Sequence, residues 1–204
     1  MTKHTLSASL AMLVCGASLA LAAGWNSPPP PVNASTSLPL VPLGTSGEYA
    51  IVDVGSAAPD FSYTALDGGA NRLHDLRAQG PVLLVIGADE SQLTALQRER
   101  DALLAMGVVP VAVVDKREGA CRRQAQRLGL GYPVIPDPRR LIAAQFNALE
   151  PASRAAAPAW FVVDSRGHVR DLNRFHWPDR EWSEIASNAL GLPRHEDPRP
   201  ASTR

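Results

Sequence analysis

Few side chains in this 204-residue sequence could carry covalent chemistry, because it contains only two cysteines. Cys15 lies in an apolar N-terminal stretch, so Cys121 is the sulfur that a folded domain would offer. Arg117, Arg122 and Arg123 flank Cys121. Positive charge and a helix N-terminus lower a cysteine pKa and favour the nucleophilic thiolate. A thiolate of that kind could reduce a peroxide or attack a disulfide.

A packing role is the stronger interpretation of Cys121. Cys121, Ala125 and Leu128 fall at positions i, i+4 and i+7 of a predicted helix. The thiol therefore shares the apolar stripe that should face a sheet. A free cysteine in such a position behaves as a small hydrophobic residue. The spacing favours packing and leaves reactivity as the alternative.

The other titratable side chains give weaker signals. His74, His168 and His176 have no histidine or cysteine at metal-ligand spacing, so the sequence predicts no metal site and no cofactor. Asp89 and Glu90 stand at the start of a predicted helix, where acidic residues are ordinary caps. Proton transfer by these two carboxylates is the minor alternative.

The charge balance excludes some classes of partner. Lysine and arginine total 20 and aspartate and glutamate total 20, so the formal net charge is zero. Nothing in that balance attracts the protein to nucleic acid or to acidic lipid. We expect no nucleic-acid partner and no membrane contact beyond a possible N-terminal anchor.

The N-terminal segments predict export. Residues 1–23 resemble a secretory signal, with Lys3 before an apolar run and Ala20-Leu21-Ala22 as a cleavage site. The alternative is an uncleaved anchor that tethers the protein to a membrane. Residues 24–50 are a Pro- and Ser-rich linker, residues 51–193 the folded domain, and residues 194–204 a flexible tail. The expected location is periplasmic or secreted.

The hydrophobic pattern of the domain predicts an α/β fold. Strands are expected at 61–63, 82–86, 108–114, 132–135, 160–163 and 168–170, with a returning segment at 73–76. Pro110 should make the start of its strand irregular. Helices are expected at 89–106, 119–128, 138–146 and 179–190. This order, β-α-β-α followed by a β-hairpin and a helix, predicts a mixed central sheet with helices on both faces.

The helix at 89–106 should pack through one apolar side. Leu93, Leu96, Leu103 and Leu104 form that side. Asp89 and Gln92 have the spacing of a capping box at the start of this helix.

Four segments, in the order of the family, resemble the redoxins. These are the alkyl hydroperoxide reductase and thiol-specific antioxidant proteins and their thioredoxin-like relatives. The segments are Gly55–Phe61, Asp67-Gly68 with Leu73–Leu76, Leu128–Val134 with Asp137-Pro138, and Pro158–Asp164 with Gly167. The resemblance implies a thioredoxin-like fold and, in the family, cysteine redox chemistry.

The resemblance also implies where that chemistry should sit. The family keeps its reactive cysteine between the central strand and the next helix, yet residues 86–93 contain none. Aligning the helix ends places the lost nucleophile at or near Asp89, beside Glu90. Pro158 stands where peroxidases of the family carry an arginine, and it resembles the cis-proline of the disulfide reductases. The likeness therefore favours a cis bond before Pro158; the alternative is an ordinary turn proline after the Ala-rich loop.

These observations predict a non-catalytic binding or accessory module that works outside the cytoplasm with an unknown protein partner. The alternative is a peroxiredoxin-like antioxidant oxidoreductase that uses Cys121 alone and needs an external thiol donor.

Overall fold

A computed structural model describes residues 50–66 and 68–193 of the chain. The predicted signal at 1–23, the linker up to residue 49 and the tail at 194–204 lie outside these residues. Within them, no helix is long and apolar enough to cross a bilayer.

In the part of the chain that the structure describes, five strands form the central sheet and two more form a separate hairpin. The elements in chain order are β1 (Ser62–Thr64), β2 (Ala70–Arg72), α1 (Leu73–Arg77), β3 (Val82–Ile86), α2 (Glu90–Ala105), β4 (Val109–Val114), α3 (Glu118–Leu128), β5 (Val134–Pro136), α4 (Leu141–Gln145), β6 (Ala159–Val163), β7 (Val169–Arg174) and α5 (Trp182–Leu190). The sheet order is β5-β4-β3-β6-β7. β3, β4 and β5 run parallel, whereas β6 is antiparallel to both β3 and β7. The predicted mixed sheet is confirmed.

Strands β3, β4 and β6 form the centre of the domain, and every residue in them is buried. Because side chains alternate along a strand, β3 contributes to two cores. Leu84 and Ile86 belong to a core with α1, α4 and the β1-β2 hairpin. Leu83 and Val85 belong to a second core with α2, α3 and α5. Helices therefore cover both faces, as predicted.

Three element boundaries differ from the sequence prediction. The returning strand ends at Arg72, and residues 73–77 form a helix whose start is held by Asp75, which accepts a hydrogen bond from the Arg72 amide. Helix α4 begins at Leu141 rather than at Pro138, because the Asp137 carboxylate accepts from the Leu141 and Ala143 amides. Helix α5 begins at Trp182 rather than at 179.

Pro110 sits in β4 without the predicted irregularity. The Ala112 amide donates to Pro133 on the β5 side, so by the alternation of a strand the nitrogen of Pro110 also faces that side. Pairing with β5 starts only at Ala112. The missing N–H of Pro110 therefore falls where the ladder has not yet begun, and the proline is tolerated.

Helix α2 packs through most of its predicted apolar side. Leu93, Leu96 and Leu103 are fully buried, but Leu104 is 41% exposed. Leu103 already faces the sheet, and a helix rotates by about 100° per residue, so its neighbour turns towards solvent.

Candidate functional site

The junction between β3 and α2 is fixed by one glycine. Gly87 has a φ of +72°, which L side chains rarely adopt, and its amide donates to the Val113 carbonyl at 3.0 Å. A Cβ atom on Gly87 would lie 2.6 Å from the carbonyl oxygen of Ala157. This close approach sets the junction against the segment that precedes Pro158. The structure therefore brings together the two backbone regions that the family resemblance singled out.

Asp89 is the N-cap of α2. Its Oδ1 atom accepts from the Gln92 amide at 2.9 Å, which is the carboxylate half of the predicted capping box, and from the Ser91 hydroxyl at 2.7 Å. These bonds, the Ser91 hydroxyl first, hold the pKa of Asp89 below its ordinary value. The position expected for the lost nucleophile therefore carries an exposed, ionised carboxylate that caps a helix.

Glu90 faces away from Asp89 and towards α3. Its two carboxylate oxygens accept from the guanidinium of Arg127 at 2.7 and 2.6 Å. The Arg127 hydrogen bond lowers the pKa of Glu90. This ion pair links the start of α2 to the last turn of α3, so the Glu90 carboxylate is charged and already has a partner.

Pro158 follows a trans peptide bond, so the predicted cis bond is wrong; none of the peptide bonds among the residues described is cis. The surrounding backbone is fully engaged. The Ala157 amide donates to Ala148, and the Pro158 carbonyl accepts from the Phe175 amide at 2.6 Å. Ala159 then starts β6. The likeness to disulfide reductases does not extend to the geometry of this bond, and the trans form is the intrinsic preference of an X-Pro peptide.

Cys121 is buried in the second core and is 1% exposed. Its Sγ atom lies 4.0 Å from the Val134 carbonyl oxygen, and Ala125 and Leu128 pack against the same cluster. Burial raises the pKa of Cys121 to about 11, although the charge of Lys116 opposes this shift. At pH 7 a group with such a pKa is ionised in roughly one molecule in 10⁴. The thiol is therefore protonated and covered.

The histidines of the described residues, His74, His168 and His176, belong to no group that could hold a metal ion. In residues 50–66 and 68–193, no group of three or more His, Cys, Asp or Glu side chains is placed to hold a metal ion. His74 contacts Arg77, and His168 lies 3.9 Å from Asp164.

A model of the AhpC/TSA family matches residues 54–172, which is more than half of the chain. The chain belongs to the AhpC/TSA family. The predicted resemblance to redoxins is therefore confirmed. We call residues 87–89 and Pro158 the site region, because the resemblance implies the family's chemistry there.

Two relatives of known activity resemble this AhpC/TSA protein at a distance. The thiol-disulfide oxidoreductase ResA of Geobacillus kaustophilus is 28% identical over 130 residues, which cover 61% of this chain and 71% of that protein. ResA of Geobacillus thermodenitrificans gives the same identity and coverage.

Solved structures show the same fold. The peroxidoxin BcpB of Mycobacterium tuberculosis superposes with a TM-score of 0.62 at 18% identity, over 69% of this chain and 97% of that one. AhpC of Enterococcus faecalis superposes with a TM-score of 0.58 at 20% identity, over 69% and 92% of the two chains. At these identities the likeness establishes the thioredoxin-like fold.

Phe175 is a residue of the site region that the sequence did not single out. It follows β7, has a φ of +70°, is 45% exposed and donates its amide to Pro158. Positive φ is unusual for a bulky side chain. No local signal marks it, because an aromatic residue after a strand is equally typical of a core. The neighbouring Trp177 stacks edge-to-face on the buried Trp182 with centroids 6.4 Å apart, so these two rings serve helix packing.

Proposed function

We propose that this AhpC/TSA-family protein is an extracytoplasmic binding or accessory module that has lost the family's thiol chemistry. The observation that carries the proposal is the Asp89 carboxylate at the junction of β3 and α2, where the family places sulfur. A carboxylate cannot form a sulfenic acid or a mixed disulfide. Its hydrogen bonds to Ser91 and Gln92 give it a structural task instead.

The burial of Cys121 supports the same proposal. Attack on a peroxide or a disulfide needs a thiolate in contact with the substrate. Cys121 is covered by the second core, and its raised pKa keeps the thiol neutral. In the folded protein Cys121 is therefore neither a thiolate nor in contact with a substrate.

The site region still offers a surface for a partner. Phe175 is 45% exposed, and its amide donates to the Pro158 carbonyl, so this aromatic residue is tied to the site region. Rigid aromatic groups bind partners with a small entropic cost. We therefore expect the partner, a protein of the same compartment, to contact the surface around Pro158 and Phe175.

The second candidate is a thiol-dependent antioxidant oxidoreductase that uses Cys121. Its support is the similarity to the two ResA proteins, which are thiol-disulfide oxidoreductases. It requires local opening that exposes Cys121 and an external thiol to regenerate it.

Turnover assays separate the two candidates. The full chain should consume hydrogen peroxide and reduce a disulfide substrate no faster than the thiol donor alone. Cys121→Ala should leave that rate unchanged. Cys15→Ser is the matched control, because it removes the other cysteine. Turnover that disappears in Cys121→Ala and persists in Cys15→Ser would establish the enzyme and overturn the module. Fractionation of cells that express the full chain tests the extracytoplasmic location.

A further inference from the structure

A groove rich in positive charge lies beside the start of α2. It has a volume of about 450 Å³, is open to solvent, and is lined by Glu90, Lys116, Ala120, Arg123, Gln124 and Arg127. We call it the basic groove. Three of these side chains are cationic and one is anionic, so the groove has a formal charge of +2 in a protein whose net charge is zero.

Two of the three cations are held in place by other lining residues. The Lys116 ammonium donates to the Gln124 carboxamide oxygen at 2.7 Å, and Gln124 itself is only 8% exposed. The buried amide therefore orients Lys116 at the groove. Arg127 makes its two-bond ion pair with Glu90. Lys116 is close enough to help lower the pKa of Glu90 after Arg127, which places both cations around one carboxylate.

Arg123 is the cation without a protein partner. Its guanidinium makes no hydrogen bond or ion pair with the described part of the chain, whereas Arg122, the preceding residue, pairs with Glu118 at 2.6 Å. Arg123 and Arg127 are one helical turn apart on α3, so their charges share one face. Arg127 is balanced by Glu90, but the charge of Arg123 is not balanced, and a bound anion would neutralise it.

We propose that the basic groove binds a small oxyanion, a carboxylate or phosphate group of a soluble ligand. Arg123 and Lys116 supply the first hydrogen bonds to the ligand. In the free protein the Arg127 guanidinium is paired with the Glu90 carboxylate. When the ligand displaces Glu90, Arg127 also donates hydrogen bonds to the ligand. The planar guanidinium suits both kinds of oxyanion, because each accepts two parallel N–H bonds. This inference goes beyond the module proposed above and does not depend on whether thiol chemistry survives.

The test is a titration of the isotopically labelled full chain, followed by amide and arginine side-chain chemical shifts. Inorganic phosphate and citrate are added separately at constant ionic strength, with chloride as the reference salt. Saturable shifts at Lys116, Ala120, Arg123 and Arg127 are expected for at least one of the two ligands. Tighter binding of phosphate identifies a phosphate site, and tighter binding of citrate identifies a carboxylate site.

Three variants make the titration decisive. Arg123→Ala should raise the dissociation constant roughly tenfold, because it removes a hydrogen bond between two charged groups. Arg122→Ala, with the same charge change on the adjacent residue, should leave the constant unchanged. Glu90→Gln should tighten binding about threefold or more, since it removes the competing carboxylate.

Two results would overturn the proposal. Shifts that rise linearly without saturation, or that respond equally to Arg122→Ala and Arg123→Ala, would show general charge screening in place of a site. Binding that is unchanged or weaker in Glu90→Gln would refute the displacement of Glu90. Neither result depends on peroxide turnover, so the proposed function is tested separately.

Discussion

The starts of helices α2 and α3 each provide only some of the conditions that make a cysteine reactive. At α2 the helix start is open to solvent, but Asp89 occupies it. At α3 sulfur is present, but Cys121 comes after the first turn, where its amide already donates to the Arg117 carbonyl and its side chain is buried. The unpaired amides that stabilise a thiolate belong to the first turn alone. Reactivity requires sulfur, free amides and solvent at one position, and here they are apart.

The largest expected effect is on the alkylation rate of a cysteine introduced at the start of α2, where free amides and solvent are already present. Asp89→Cys places a thiol at the open start of α2, where its pKa should be at or below the ordinary 8.5. With the pKa of Cys121 near 11 and its side chain buried, the introduced thiol should react with iodoacetamide at pH 7 at least roughly tenfold faster than Cys121. Peptide mapping by mass spectrometry measures both rates in one sample. Equal rates would contradict the contrast between the two helix starts.

Gly87 holds the α2 start in position, so its replacement should be costly. Gly87→Ala combines left-handed strain with a 2.6 Å approach to the Ala157 oxygen, and we expect a loss of about 3 kcal/mol in the free energy of unfolding. Gly129→Ala at the end of α3 is the matched control, since its φ is +60° but nothing lies within 4 Å of the added Cβ. It should cost about 1 kcal/mol. Urea unfolding measures both, and equal losses would show that the Ala157 contact is unimportant.

The buried sulfur should make the fold sensitive to alkali. The pKa of Cys121 is about 11 in the folded protein and ordinary, near 8.5 to 9, in the unfolded chain. Between these values the unfolded chain releases the proton and the folded protein keeps it, so stability falls as the pH rises. The loss due to this group from pH 8 to pH 11 should be roughly 2 kcal/mol.

Cys121→Ala checks this term. Its stability should decline less steeply between pH 9 and pH 11 than that of the native protein, whatever its stability at pH 7. Parallel curves from urea unfolding at each pH would mean that Cys121 ionises freely when folded, which would favour a reactive thiol.

The smallest expected effect concerns the Asp89 cap of α2. Asp89→Ala removes the acceptor for the Gln92 amide and should cost about 1 kcal/mol. Asp89→Asn keeps an acceptor and should cost less than half of that. If thermal unfolding shows the two variants to be equal, the charge of Asp89 matters more than its hydrogen bonds.

The sequence was most informative where burial alone determines the structure. A short apolar run such as Val82–Ile86 is typical of a strand buried on both faces, and the order of such runs was enough to predict the mixed sheet. The spacing of Cys121, Ala125 and Leu128 likewise identified a stripe that does pack into the core. Local hydrogen bonding also made Asp89 recognisable as a cap.

Features that depend on contacts distant in sequence were not predictable. The Pro158 bond was assigned as cis by family likeness, whereas its trans form fits a backbone bonded to Ala148 and Phe175. Arg127 lies 37 residues from Glu90, so neither the ion pair nor the basic groove leaves a sequence pattern. Leu104 fits the helical period and is still exposed, because Leu103, one residue before it, is the side chain that faces the sheet.

Pro110 has a consequence for how the edge of the sheet is anchored. The Ala112 amide donates to the Pro133 carbonyl, so in a regular ladder the amide of residue 110 would donate to the Gly131 carbonyl. Pro110 has no N–H and leaves this carbonyl without a bond from β4. The Gly131 carbonyl instead accepts from the Arg100 guanidinium at 2.6 Å, and its amide donates to Gln97 at 2.8 Å. Side chains of α2 thus tie down the peptide that leads into β5. The helix capped by Asp89 therefore also holds the edge strand, and we expect loss of the Arg100 and Gln97 contacts to free β5 from the sheet more readily.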